Sequence, residues 1–108
     1  MKVLLHINEQ SKWNMLLDNA KHMLASDEKF ILEVVANGEA VKTLQKQDEY
    51  SNSIFELSKK GIKFIACNNS INKFNINKNS LYEFVIVVPA GMVEIAKKQN
   101  CGYSYIKP

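Results

Sequence analysis

Five short apolar runs, separated by stretches with helical spacing, constrain this chain more than any other feature. They fall at residues 2–7, 30–36, 62–67, 84–88 and 103–106. The first, Lys2-Val3-Leu4-Leu5-His6-Ile7, is almost unbroken in apolar residues, the pattern of a strand buried on both faces. After it, Trp13, Leu16, Leu17, Ala20, Met23 and Leu24 recur three or four residues apart and form one stripe of a helix, with Ser11 placed to cap it. The order β-α-β-α-β-α-β-α-β follows. That alternation predicts an α/β fold: a mainly parallel five-stranded sheet, right-handed crossovers and helices on both faces.

Punctuation residues set the remaining boundaries. The second run ends at Asn37-Gly38, a turn dipeptide. A short helical piece with Val41 and Leu44 inward comes next, then a helix over about 51–60 that packs Ile54, Phe55 and Leu57. Ser53 and Glu56 in it have capping-box spacing. Gly61 stops that helix. The third run, Ile62 to Cys67, enters the polar turn Asn68-Asn69-Ser70, any residue of which could cap a following helix. A short helix and loop over 71–81 lead to Phe84-Val85-Ile86-Val87-Val88, the purest β segment. Pro89-Ala90-Gly91 then precedes a helix over about 92–99, with Met92, Ile95 and Ala96 on one side. Tyr103 to Ile106 reads as an edge strand or an oligomer contact.

With 108 residues and 46% apolar side chains, the chain makes one domain with a core of its own. The net charge of +3 is mild, and every strongly basic residue is lysine. Without the arginine fork that reads phosphate and guanine, nucleic-acid binding has little support. No apolar run is long enough to span a membrane, and the first residues do not read as a signal peptide, so the expected location is the cytoplasm. Cys67 and Cys101 form no CxxC, so free thiols are expected. No zinc-ligand spacing, dinucleotide fingerprint or phosphate loop occurs, and neither metal nor cofactor is expected.

Ligands of open α/β sheets bind outside the carboxyl ends of the strands. This chain delivers His6, Ile7, Asn8 and Glu9 there from its first strand, Asn37 and Gly38 from its second, Cys67, Asn68 and Asn69 from its third, and Pro89, Ala90 and Gly91 from its fourth. Cys67 is the one nucleophile in that set. Backbone N–H groups at such a rim favour a thiolate; the plainer reading makes Cys67 a packing residue, since free cysteines are commonly buried. His6 has the plainer reading of a hydrogen-bonded structural histidine, and the asparagines that of turn residues. Trp13 is expected in the core or at a subunit interface.

Several segments together resemble the DsrE/DsrF-like family, in particular its short stand-alone members. They are His6-Ile7-Asn8-Glu9 with Lys12-Trp13, Val34-Val35-Ala36-Asn37-Gly38, Lys60-Gly61-Ile62-Lys63-Phe64, Ala66-Cys67-Asn68-Asn69-Ser70, Val87-Val88-Pro89-Ala90-Gly91, Glu94-Ile95-Ala96-Lys97-Lys98-Gln99 and Tyr105-Ile106-Lys107-Pro108. The resemblance implies a three-layer α/β/α domain that assembles as a trimer or hexamer. It also implies a cysteine that accepts sulfane sulfur as a persulfide and passes it to a partner thiol, a role only Cys67 is placed to fill. His6, Asn8, Asn37, Gly38, Asn68, Asn69, Pro89 and Gly91 would shape that site. Two other readings stand beside it: a module that binds a small ligand without chemistry, and a structural or regulatory oligomer.

Overall fold

A computed structural model describes the whole chain, Met1–Pro108. Its strands are β1 (Lys2–Ile7), β2 (Ile31–Ala36), β3 (Lys63–Cys67), β4 (Ile86–Val88) and β5 (Ser104–Ile106). Its α-helices are α1 (Trp13–Ala25), α2 (Ser51–Lys59), α3 (Asn68–Lys73) and α4 (Gly91–Asn100). The expected element order holds throughout. The strands form one sheet in the order β4-β3-β2-β1-β5, and every pairing is parallel.

The two faces of the sheet are covered unequally. Val3, Leu5 and Ile7 of β1, Leu32, Val34 and Ala36 of β2, and Phe64 and Ala66 of β3 join side chains from α1, α2 and α3 in a core of 20 buried residues. Each fully buried large apolar side chain there contributes about 1.5–3 kcal/mol, so this face holds most of the stability. Trp13 is wholly buried in it and donates Nε1–H to the Ala40 carbonyl at 2.9 Å. The alternate residues of the strands face the other way. There Leu4, Val35 and Ile65 meet Ile95 of α4 in a second, smaller buried cluster, with Val88 and Tyr103 partly buried against it.

Local details depart from the sequence expectations for identifiable reasons. The segment after Asn37 is 3-10 rather than α, over Gly38–Leu44. Ser11 lies inside a 3-10 turn, so α1 starts without a side-chain cap; Ser53 lies inside α2, which also lacks one. Phe55 is half exposed and leans on the Phe84 ring instead of the core. The fourth strand is only three residues long, because Phe84 and Val85 turn onto the large core. Ile86 and Val87 are exposed because β4 is an edge. In α4 it is Ile95, not Met92, that points inward.

Glu33 is a charged residue buried within the sheet. It sits in β2 on the α4 side, fully buried, with Oε1 3.1 Å from Lys98 Nζ and accepting from the Tyr103 hydroxyl at 3.3 Å. Lys98, whose side chain is 27% exposed, closes the pair from the surface side. The hydrogen bond to Glu33 and the carboxylates of Glu33 and Glu94 hold its ammonium above the usual lysine range, against the desolvation that lowers it.

Candidate functional site

The rim at the carboxyl ends of the strands is built from backbone before side chains. The ladder between β1 and β2 runs one residue past β2, where the Asn37 N–H donates to the Ile7 carbonyl at 3.0 Å. Gly38 follows at φ +56°, and a Cβ there would lie 2.9 Å from the Asn8 carbonyl oxygen. Only glycine fits both that backbone conformation and that approach. The turned Gly38 N–H donates to Ser70 Oγ at 2.8 Å, which ties the end of β2 to α3. Ser70 thus serves a neighbouring strand end instead of capping its own helix, which begins at Asn68.

Cys67 is the last residue of β3 and faces the α4 side of the sheet. The N–H groups of Gly91, Ser70 and Asn69 and the Ser70 hydroxyl lie on the side of its thiol and favour the thiolate. Burial pushes the thiol up, but the donors together outweigh it, and the group lies below its ordinary value. Because Ser70 Oγ accepts from Gly38, its own proton is free to turn to the sulfur. Cys67 is 5% exposed, so the sulfur sits just under the surface. Cys101 is exposed at the far end of α4 and, like Cys67, is unpaired.

Gly91 packs between the second and third strands. A Cβ on it would lie 3.3 Å from Cys67 Cβ, 3.4 Å from Asn37 Cβ and 3.5 Å from Val35 Cγ1. Through Asn37 the site extends to β1: Asn37 Oδ1 accepts from His6 Nε2 at 2.9 Å. That bond places the ring proton on Nε2, so Nδ1 accepts from the Tyr105 hydroxyl at 2.6 Å. His6 is thus a buried structural histidine with both nitrogens bonded, and Tyr105 on β5 is a member of the rim that the sequence did not single out.

The remaining expected residues divide between two flanks. Asn8 lines a crevice of about 270 Å³ with His6, Glu9, Lys12, Lys107 and Pro108. It lies where β1 meets β5, the point at which the strand order reverses. Pro89 and Asn68 border a cleft of about 240 Å³ on the β4 side, with Lys78. Asn68 Oδ1 is buried there without a hydrogen-bond partner. The structure therefore brings Cys67, Gly91, Asn37, Gly38, Asn69 and His6 into one connected group, with Ser70 and Tyr105 added, and leaves Asn8, Asn68 and Pro89 at its sides.

The likeness to known proteins spans the whole chain. A solved protein of unknown function, MTH1491 from Methanobacterium thermoautotrophicum, shares 33% identity over 99% of this chain and 98% of that one, with a TM-score of 0.93. Two more distant structures share the fold. BT1422 from Bacteroides thetaiotaomicron is 17% identical over 99% and 94% of the two chains, with a TM-score of 0.75. The ychN protein of E. coli is 14% identical over the full length of both, with a TM-score of 0.80. No curated protein matches the chain. The family model for DsrE/DsrF-like proteins matches residues 1–108, and the chain belongs to that family.

Proposed function

We propose that the protein carries sulfane sulfur on Cys67. The observation that carries this reading is the place of Cys67, at the carboxyl end of β3 with Gly91 at the start of α4 packed directly on it, where the N–H groups of Gly91, Asn69 and Ser70 favour a thiolate without a neighbouring base. In the forward step the Cys67 thiolate attacks the terminal sulfur of a persulfide, R–S–SH. The new S–S bond forms as the old one breaks, and the donor leaves as RS⁻. An acceptor thiolate then attacks the terminal sulfur of Cys67–S–SH, and Cys67 leaves as thiolate. The two exchanges cancel, so no redox cofactor is needed. Because Cys67 is nearly buried, this reading takes a donor of low molecular weight.

The working unit in this reading is a homo-oligomer, a trimer or hexamer, in the cytoplasm. Supporting it are the exposed apolar side chains Ile86 on β4 and Met92 and Val93 on α4, beside the site on the thinly covered face, with Val87 exposed on the opposite face of the same edge strand. No helix is long and apolar enough to cross a membrane.

Intact-mass spectrometry after exposure to polysulfide tests the proposal. A gain of about 32 Da that a thiol reverses, absent in Cys67→Ala, is the expected result. An adduct that forms only on denatured protein would make Cys67 a packing residue. The second reading, a site for a small anion, rests on the crevice between β1 and β5 with its Lys12 and Lys107. Phosphate binding that survives Cys67→Ser favours it.

A further inference from the structure

Only one asparagine in the chain precedes a glycine, and it stands in the rim: Asn37-Gly38. Such a pair is chemically labile. The backbone nitrogen after an asparagine can attack the side-chain carbonyl carbon, and glycine leaves that nitrogen unshielded because it has no Cβ. Here the Gly38 nitrogen would give up its proton to hydroxide and bond to Asn37 Cγ. The Cγ–Nδ2 bond breaks, and the amide leaves as ammonia. Water then opens the succinimide at either of its two ring C–N bonds. The product is aspartate or isoaspartate, and nothing is oxidised or reduced.

The fold holds this peptide out of the reactive geometry at both of its ends. Ring closure needs the Gly38 nitrogen eclipsed with Asn37 Cβ. Asn37 has φ −133° and ψ 179°, which leaves that nitrogen staggered from Cβ. Turning it into place swings the whole peptide plane. The oxygen of that plane, the Asn37 carbonyl, accepts from the Ala40 N–H at 3.3 Å. Its nitrogen donates to Ser70 Oγ at 2.8 Å. Both bonds must break before the ring can close. The electrophile is fixed as well, since Asn37 Oδ1 accepts from His6 Nε2 at 2.9 Å.

These restraints differ in origin. Ala40 holds the peptide from within the same 3-10 segment. Ser70 belongs to α3, 32 residues from Gly38, so its restraint exists only while α3 is packed against the end of β2. Asn37 is partly exposed, and water has access to the residue; the backbone is what restrains the reaction.

We infer that Asn37 is a deamidation site that Ser70 holds shut: the hydrogen bond from the Gly38 N–H to Ser70 Oγ keeps the attacking nitrogen turned away from the Asn37 side chain. Deamidation would add a negative charge at the level of Cys67, because Ala36 pairs with Ala66 and the next residues of the two strands are Asn37 and Cys67. Nothing in this depends on sulfur carriage by Cys67.

Peptide mapping by mass spectrometry tests it, with the full chain incubated at mildly alkaline pH and conversion of the Asn37 amide to the acid followed over time. The folded wild type should deamidate at Asn37 at least about tenfold more slowly than the same chain in urea, the effect of one ordinary hydrogen bond on a rate. Folded Ser70→Ala should deamidate about tenfold faster than folded wild type. Ser70→Cys, whose sulfur is only a weak acceptor, should also be faster, and it replaces the alanine variant if that one does not fold. Asn79-Ser80, exposed in a separate 3-10 turn, is the internal reference and should keep its wild-type rate in both variants. Equal rates at Asn37 in folded and unfolded wild type overturn the inference. So does a wild-type rate at Asn37 in the folded variants, or a parallel acceleration at Asn79, which would mean that the chain opens as a whole.

Discussion

Gly91 and Cys67 stand so close that a methyl group on the glycine would lie 3.3 Å from the cysteine Cβ. The first residue of α4 and the last residue of β3 therefore pack this closely without displacement because Gly91 lacks a side chain. The same closeness sets the Gly91 N–H on the side of the sulfur, where it favours the thiolate.

Gly91→Ala should consequently act on the thiol more than on the fold. The contact requires a shift of a few tenths of an ångström, and the shift moves the Gly91 N–H off the sulfur. The Cys67 thiol should rise toward the free value of about 8.5, read from thiolate absorbance against pH. In the wild type the folded-state thiol is depressed, so its contribution to stability is present above the unfolded value and lost as pH falls through the folded one. That acid-side loss should shrink in Gly91→Ala. An unchanged titration would detach Gly91 from the chemistry of Cys67.

The Glu33–Lys98 pair makes an opposite prediction at the alkaline end. Lys98 is raised in the folded protein, so its contribution is fully present below the unfolded value of about 10.4 and is lost as pH rises through the folded one. Lys98→Met should cost about 3–5 kcal/mol at neutral pH, because it strands a carboxylate that is fully buried. Glu33→Leu with Lys98→Met should recover most of that loss. Denaturant melts of the single and double variants decide it; equal stability of the two would mean that the charge on Glu33 is solvated after all.

Tyr105→Phe probes the far end of the rim. It removes the hydroxyl that donates to His6 Nδ1 and leaves a part-buried acceptor unpaired. The expected cost is about 1–3 kcal/mol. Nitrogen NMR of the imidazole should show the Nε2–H tautomer in the wild type, as the bond to Asn37 Oδ1 requires. A wild-type ring protonated on Nδ1 would make His6 the donor to Tyr105 and require the Asn37 amide to turn over so that its NH2 donates to Nε2.

The fold was legible in the sequence because its strands are locally apolar and its helices locally periodic. The rim was legible for a topological reason: parallel strands bring their carboxyl ends to one side whatever their order, so Cys67, Gly91, Asn37 and His6 had to be neighbours in some sense. What sequence could not carry was lateral position. Phe84 to Val88 has the composition of a central strand, yet Ile86 and Val87 are exposed because β4 ends the sheet. Glu33 has the neighbours of a core residue, and its partners Lys98 and Tyr103 come from distant segments that only the fold brings near. Ser70 has the composition of a cap, and its hydrogen bond goes to Gly38 because of where β2 stops.

The strand order also has a consequence in time. β1 is the first strand made and β5 the last, and the two are neighbours. During synthesis one edge of β1 stays open until every other strand has emerged, which leaves unpaired backbone groups able to pair with another chain. His6 waits as well, since its Nδ1 partner Tyr105 arrives with β5. The rim therefore becomes complete only as the closing strand docks, and a nascent chain stalled before residue 103 has Cys67 in place while the histidine beside its asparagine is still half-bonded.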